Sequence, residues 1–203
     1  MTTHTLRRWG AVLIAGGLIA GGAYAFFPSN PSSSLLQPCA ALVLVGLSLL
    51  IAGLVAFQSA QSERAPINGW TGAGLLAVGL VLLEFPHCIL DLVDLQRMQD
   101  LDAYHASFLG NLQFPGIICI AVGEVVLGVA IVRARVYPRW AAWLVAANVA
   151  LTVSSMAVPG LADWVRIPAP NYVLFGMLGT AMIALASRRE GATSTQPATV
   201  TVA

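Results

Sequence analysis

Six apolar runs, each crossed by almost no charge, constrain this chain more than any other feature. They fall at about 9–27, 36–57, 71–93, 114–132, 140–158 and 171–187. An apolar run of roughly 18 residues or more spans the ~30 Å hydrocarbon core of a bilayer as a helix. Lipid offers the backbone no hydrogen-bond partners, so each crossing must satisfy its own peptide groups, as a helix does. The sequence therefore predicts an all-α fold, a polytopic membrane bundle of six transmembrane helices in one domain over residues 1–190. The breaks carry turn chemistry: Pro28 to Pro31, then Pro66 with Asn68 and Gly69, then Pro138, then Pro159, Gly160, Pro168 and Pro170.

Composition excludes the rival classes. Charged residues make up 9% of the 203, against roughly 25% in a soluble domain. Mean hydropathy is +0.80. That is too little polar surface to coat a water-soluble globule. It is also too apolar for disorder, and a net charge of +1 gives no basic patch for nucleic acid. No cofactor-binding fingerprint, phosphate loop or Ser/His/Asp arrangement is present. Cys39, Cys88 and Cys119 lie inside apolar runs with no C-x-x-C pair, and read as small buried hydrophobes.

All ten basic residues are arginine, and their placement predicts orientation. With the N-terminus in the cytoplasm, Arg7, Arg8, Arg64, Arg133, Arg135, Arg139, Arg188 and Arg189 lie inside, and only Arg97 and Arg166 outside. Positive residues favour the cytoplasmic side, so both ends of a six-span chain face the cytoplasm, in the cell (inner) membrane. Trp9, Trp70, Trp140 and Tyr137 mark the inner interface, and Trp164 and Tyr172 the outer one, as an aromatic belt. A second reading of the first run is a signal peptide, with Arg7-Arg8 ahead of it and Ala23-Tyr24-Ala25 as the cleavage site. Gly17 and Gly21, flanked by Gly16 and Gly22, form a GxxxG that predicts close helix packing. Residues 94–113 carry apolar residues at near-helical spacing and predict an amphipathic segment on the outer surface. Residues 191–203 read as a disordered cytoplasmic tail, and Asp163 with Arg166 as a loop ion pair.

Ionisable residues inside a span are costly and mark function by default. Glu84 lies in the third run and Glu124 in the fourth. Helical spacing puts Glu84, His87, Cys88 and Asp91 on one stripe, with Pro86 between them as the expected site of a kink. Counting rise per residue puts both glutamates between the midplane and the outer third, facing one cavity. Asn148, Thr152 and Ser155, at helical spacing in the fifth run, are the expected substrate-binding wall. Glu84, Glu124, His87 and Asp91 are the expected catalytic set.

Three functions compete. Paired carboxyls and a His in a dry site suit acid–base chemistry, protonating, isomerising or cyclising a lipophilic substrate that arrives from the bilayer. The alternatives are a small transporter of protons or cations and a non-catalytic assembly or regulatory partner. Glu84-x-x-His87 matches half of a di-iron carboxylate motif. No second E-x-x-H exists, so no metal is expected. The expected partners are the lipid bilayer and a lipophilic small molecule, with no cofactor.

The stretch Arg133-Ala134-Arg135-Val136-Tyr137-Pro138-Arg139-Trp140-Ala141-Ala142-Trp143-Leu144 resembles small uncharacterised multi-span membrane proteins of actinobacteria. It is a basic turn followed by Pro-Arg-Trp-Ala opening an apolar helix. The likeness implies a multi-span integral membrane protein and brings no activity with it.

Overall fold

The computed structural model describes residues 1–26, 34–93, 108–157 and 168–194. The described residues are helical, with no strand among them. In chain order the helices are α1 (Thr3–Ala25), α2 (Leu36–Gln61), α3 (Pro66–Val93), the short α4 (Phe108–Asn111), α5 (Gln113–Ala134), α6 (Arg139–Ala157) and α7 (Pro168–Ser194). The six long helices coincide with the six apolar runs. Most extend beyond them by several residues, because a helix continues past the hydrocarbon until turn chemistry stops it. α7 continues to Ser194, so the first residues expected in a loose tail are helical; 195–203 lie outside the described residues. So do 94–107, most of the expected surface segment, and the pair Asp163 and Arg166.

Four helices, α2, α3, α5 and α7, are long and apolar enough to cross a membrane. By the same measure α1 falls just short, because it carries Arg7, Arg8 and five glycines.

Each long helix packs on the next in chain order, and α7 returns to α1, closing a ring. The α1–α7 and α3–α5 seams are the most extensive, and those of α6 the sparsest. Glycine explains the tight seams. A Cβ added at Gly17 would lie 2.5 Å from the Tyr172 carbonyl oxygen and 2.6 Å from the Gly176 Cα. The two backbones therefore touch there, and any side chain would force them apart. On α3–α5, a Cβ at Gly79 would lie 2.7 Å from the Gly116 carbonyl oxygen. The GxxxG of α1 thus packs within the chain.

The start of α1 and the end of α7 lie at one end of the ring. Arg7 donates to Glu190 at 2.6 Å, and Arg189 donates to the Met1 carbonyl at 3.0 Å. That end also collects Arg64, Arg133, Arg135 and Arg139, at the ends of α2 and α5 and the start of α6. It is called the basic end below, and the opposite one the far end. Trp70 and Trp140 are 43% and 40% exposed near it, as interfacial anchors should be. Tyr137 and Tyr172 are not belt residues: both are buried, at 5% and 3%. Tyr137 stacks on Phe57 at 4.0 Å between ring centroids and donates to the Phe57 carbonyl at 2.7 Å. Tyr172 meets Tyr24 edge-on at 5.9 Å. In each case a ring packs inside the bundle, where apolar area is worth more than an interfacial position.

The core is aliphatic around the middle of the ring. Leu13, Leu54, Leu127, Val145, Leu178 and Met182 come from five of the six long helices and are each at most 2% exposed. α3 approaches the same layer through Leu76, also fully buried.

Candidate functional site

Polar side chains inside this ring are few, so their placement is informative. Those of the middle and far half form two groups. The deeper one is built on Glu124, in the middle of α5 and fully buried. Its Oε1 accepts from Asn148 Nδ2 at 2.9 Å and from Thr152 Oγ1 at 3.3 Å. Asn148 and Thr152 stand one helical turn apart on α6, which brings both side chains to the same carboxyl. Asn171, near the start of α7, donates to Thr152 Oγ1 at 3.2 Å. Three helices are thus joined by one hydrogen-bond chain that ends on a single carboxylate oxygen. Glu124 Oε2, Asn148 Oδ1 and Asn171 Oδ1 are buried without a hydrogen-bond partner.

The second group lies on α3 nearer the far end. Glu84, Cys88 and Asp91 are buried on one stripe, at 4%, 0% and 0% exposure. His87 is half-buried, and its Nε2 lies 3.5 Å from Asp91 Oδ2. That distance makes an ion pair when His87 is protonated, though neither Asp91 oxygen has a hydrogen bond of good geometry. The Tyr172 hydroxyl is set against the Glu84 carboxyl and beside Cys88. The contact stops short of hydrogen-bond geometry, leaving that hydroxyl without a partner. α3 runs unbroken through Pro86.

Register separates the two groups in depth. α3 and α5 run antiparallel, with Gly72 against Leu127, Leu76 against Gly123 and Gly79 against Ile120. Glu124 therefore sits level with residues 75–76 of α3, and Glu84 lies about nine residues further along, ~13 Å at 1.5 Å per residue. The two glutamates are staggered by more than the ~5 Å that counting residues suggests. Adjacent residues of α7 link them: Asn171 reaches the Glu124 group and Tyr172 the Glu84 group.

Of the expected site residues, the structure groups Glu84, His87 and Asp91 on one stripe and Glu124, Asn148 and Thr152 in one network. Ser155 lies in α6, but its side chain is outside the described residues. Asn171 and Tyr172 were not expected. Their signal was present: Tyr172, Phe175, Gly176 and Gly179 share the packed face of α7, so helical spacing already turned Tyr172 inward.

The arrangement is rich in acceptors. Three carboxyls and two amide oxygens face the interior, against the Tyr172 hydroxyl and the His87 ring as donors. Among the described residues no three His, Cys, Asp or Glu side chains converge as metal ligands, and the three cysteines are free thiols. Chemically, such a site can take up a proton, hold a hydrogen-bond donor or accommodate a positive charge. No protein-family model matches the chain, and no curated protein or solved structure is significantly similar to it.

Proposed function

We propose that this is a six-span protein of the cell membrane, with both ends in the cytoplasm, whose interior acid–base site acts on a lipophilic molecule. In this reading α1 and α6 cross the bilayer along with the four more apolar helices. The arginines at the basic end support that orientation, since positive residues favour the cytoplasmic side. Glu84 and Glu124 serve as proton donor and acceptor, His87 and Asp91 stand at the far-side mouth, and Asn148 and Thr152 hold Glu124 in place.

One observation carries the reading: the polar interior ends at Glu124. Towards the basic end comes the aliphatic layer of Leu13, Leu54, Leu127, Val145, Leu178 and Met182. The next buried polar side chain among the described residues is Gln58, packed against Gly69. It lies about six residues, ~9 Å, below the level of Glu124. A conduction path needs polar groups through both halves of the membrane; a site that handles a bound molecule needs only a pocket with one opening. The geometry thus favours protonation, isomerisation or cyclisation of a lipophilic substrate over transport of protons or cations.

Deuterium exchange tests it. The purified protein in lipid nanodiscs is incubated with a membrane lipid extract in D2O, and the lipids are analysed by mass spectrometry. The expected result is deuterium at carbon in one lipid class, lost in Glu124→Gln and in Glu84→Gln. Proteoliposomes should hold an imposed pH gradient. Collapse of that gradient by the wild type but not by Glu124→Gln would establish transport instead. Unchanged lipid exchange and unchanged cell phenotype in the double Gln variant would leave a structural role.

A further inference from the structure

The basic end carries a second polar feature, unconnected with the carboxyl groups. An open cleft of about 260 Å³ is walled by Gln61, Glu63, Arg64, Arg135 and Arg189, with Leu185 among its apolar residues. We propose that this cleft binds a phosphoryl anion that also carries a hydroxyl group, as in a glycerol-type phospholipid headgroup or a free sugar or glycerol phosphate.

Three observations converge. The first is charge. Three arginines line the cleft against one acid, Glu63. Among the described residues neither Arg64 nor Arg135 has an ion-pair partner, and Arg189 also holds the Met1 carbonyl. Guanidinium groups match phosphate oxygens in geometry as well as in charge.

The second is a buried acceptor. Gln61 is 1% exposed, and its Oε1 has no hydrogen-bond partner. Its orientation is fixed by its neighbours. Gln58 Nε2 donates to the Ala65 carbonyl at 3.0 Å, which leaves Gln58 Oε1 as the acceptor for Gln61 Nε2 at 2.8 Å. Gln61 lines the cleft, with its unpaired Oε1 buried at that wall, and an amide oxygen accepts from an O–H but repels an unprotonated phosphoryl oxygen. A hydroxyl on the bound molecule would satisfy it while the phosphoryl oxygens meet the arginines. Leaving such an acceptor buried and unpaired is otherwise costly.

The third is backbone. Arg135 closes α5 in the left-handed conformation, with φ of 52°, the only non-glycine at positive φ among the described residues. Glycine takes that position without steric cost. An arginine there is retained at a cost in local energy, which its side chain's role in the cleft explains.

The test uses the full-length protein. Native mass spectrometry from mixed detergent micelles compares retention of phosphatidylglycerol with phosphatidylcholine. Thermal unfolding is followed in parallel with glycerol 3-phosphate and inorganic phosphate. Phosphatidylglycerol adducts should outlast phosphatidylcholine adducts. Arg64→Ala and Arg135→Gly should each weaken retention about fivefold, the worth of one arginine near an anionic headgroup. Arg135→Gly relieves the strained backbone, so its melting temperature should hold or rise, which separates lost binding from lost folding. Gln61→Leu should weaken phosphatidylglycerol and glycerol 3-phosphate more than inorganic phosphate. Stabilisation by glycerol 3-phosphate equal to that by the lipid assigns a soluble ligand; stabilisation by the lipid alone assigns a headgroup. Arg133→Ala, outside the cleft, should change nothing. Equal losses in Arg133→Ala and Arg135→Gly, or no preference for any phosphoryl compound, would overturn the site.

Discussion

Along the α1–α7 seam, backbone meets backbone: Gly17 lies against Gly176 and Gly10 against Gly179. Along α6, helices meet through side chains, and the contacts that matter are the hydrogen bonds of Asn148 and Thr152 to Glu124. The first seam gains dispersion contact at every turn and leaves no room for anything else. The second leaves carboxyl and amide oxygens buried without partners. Lipid chains compete with Leu for apolar contact, so close glycine packing is what holds helices together in a bilayer. A polar seam with spare acceptors is a weak way to hold helices together, and a good way to hold a ligand. The contrast puts the tight backbone packing on α1 and α7 and the unpaired polar groups at the face of α6.

The largest effect should come from breaking the glycine seam. Gly17→Leu should lower unfolding stability in detergent by about 3 kcal/mol, the upper range for overpacking. Gly22→Leu, on the same helix, is the control: a Cβ there meets nothing within 4 Å, and its melting temperature should stay at the wild-type value. Leu is a better helix former than Gly, so equal losses at both positions would mean that the added apolar side chain itself, and not contact at the seam, lowers stability.

The polar seam should respond less. Asn148→Leu removes one donor from Glu124 and should cost about 1 kcal/mol, in line with hydrogen bonds between membrane helices. Replacing the whole group, Glu124→Leu with Asn148→Leu and Thr152→Val, should bring stability back to within about 1 kcal/mol of the wild type, since a well-packed apolar set substitutes for a buried polar one. Deuterium exchange should still be lost. A triple variant that unfolds far earlier than Asn148→Leu would make the polar seam structural and narrow the contrast.

Both seams were partly legible in the sequence, for different reasons. The spacing of Asn148 and Thr152 fixes them on one face of α6, and periodicity alone gives that. Likewise the GxxxG of α1 announces close packing, though not its partner. Relative depth was not legible. Counting residues from the ends of the apolar runs puts Glu84 and Glu124 within ~5 Å of one level, but α3 begins at Pro66, ahead of its run, and the glycine contacts set a register that offsets the two by ~13 Å. Tyr137 and Tyr172 misled for a related reason. Near the end of an apolar run, an aromatic ring satisfies an interface and a core equally well, and only the neighbouring helix decides. For Tyr137 that neighbour is Phe57 on α2, eighty positions away in the chain.

Tyr137 extends the comparison to the basic end, where ring stacking and one hydrogen bond tie the α5–α6 turn to α2. Tyr137→Phe keeps the ring and removes the hydroxyl, and should cost about 1 kcal/mol. It also gives a pH signature. Burial pushes the phenol above its ordinary value of 10.0, an effect that the Arg189 charge only partly offsets. Stability from the neutral phenol is therefore complete below pH 10 and drains away as the pH rises beyond it. Wild-type stability should fall faster above pH 10 than that of Tyr137→Phe, in denaturation series at matched ionic strength. Parallel curves would mean that the ring opens to water before it titrates.

The smallest effect should come from the ion pair that joins the start of α1 to the end of α7. Arg7 and Glu190 are half exposed, at 50% and 45%, although their atoms meet at 2.6 Å. Water and salt screen such a pair, and two flexible side chains must be fixed to form it, so Arg7→Ala should cost less than about 0.5 kcal/mol. The pair sits at the end of the α1–α7 seam, whose glycines already fix the two helices in register. If the seam were held chiefly by charge, raising the salt concentration would loosen it and Arg7→Ala would approach Gly17→Leu in effect. If backbone contact holds it, the Arg7→Ala melting curve should overlie the wild type in high salt, with a small difference emerging only at low salt.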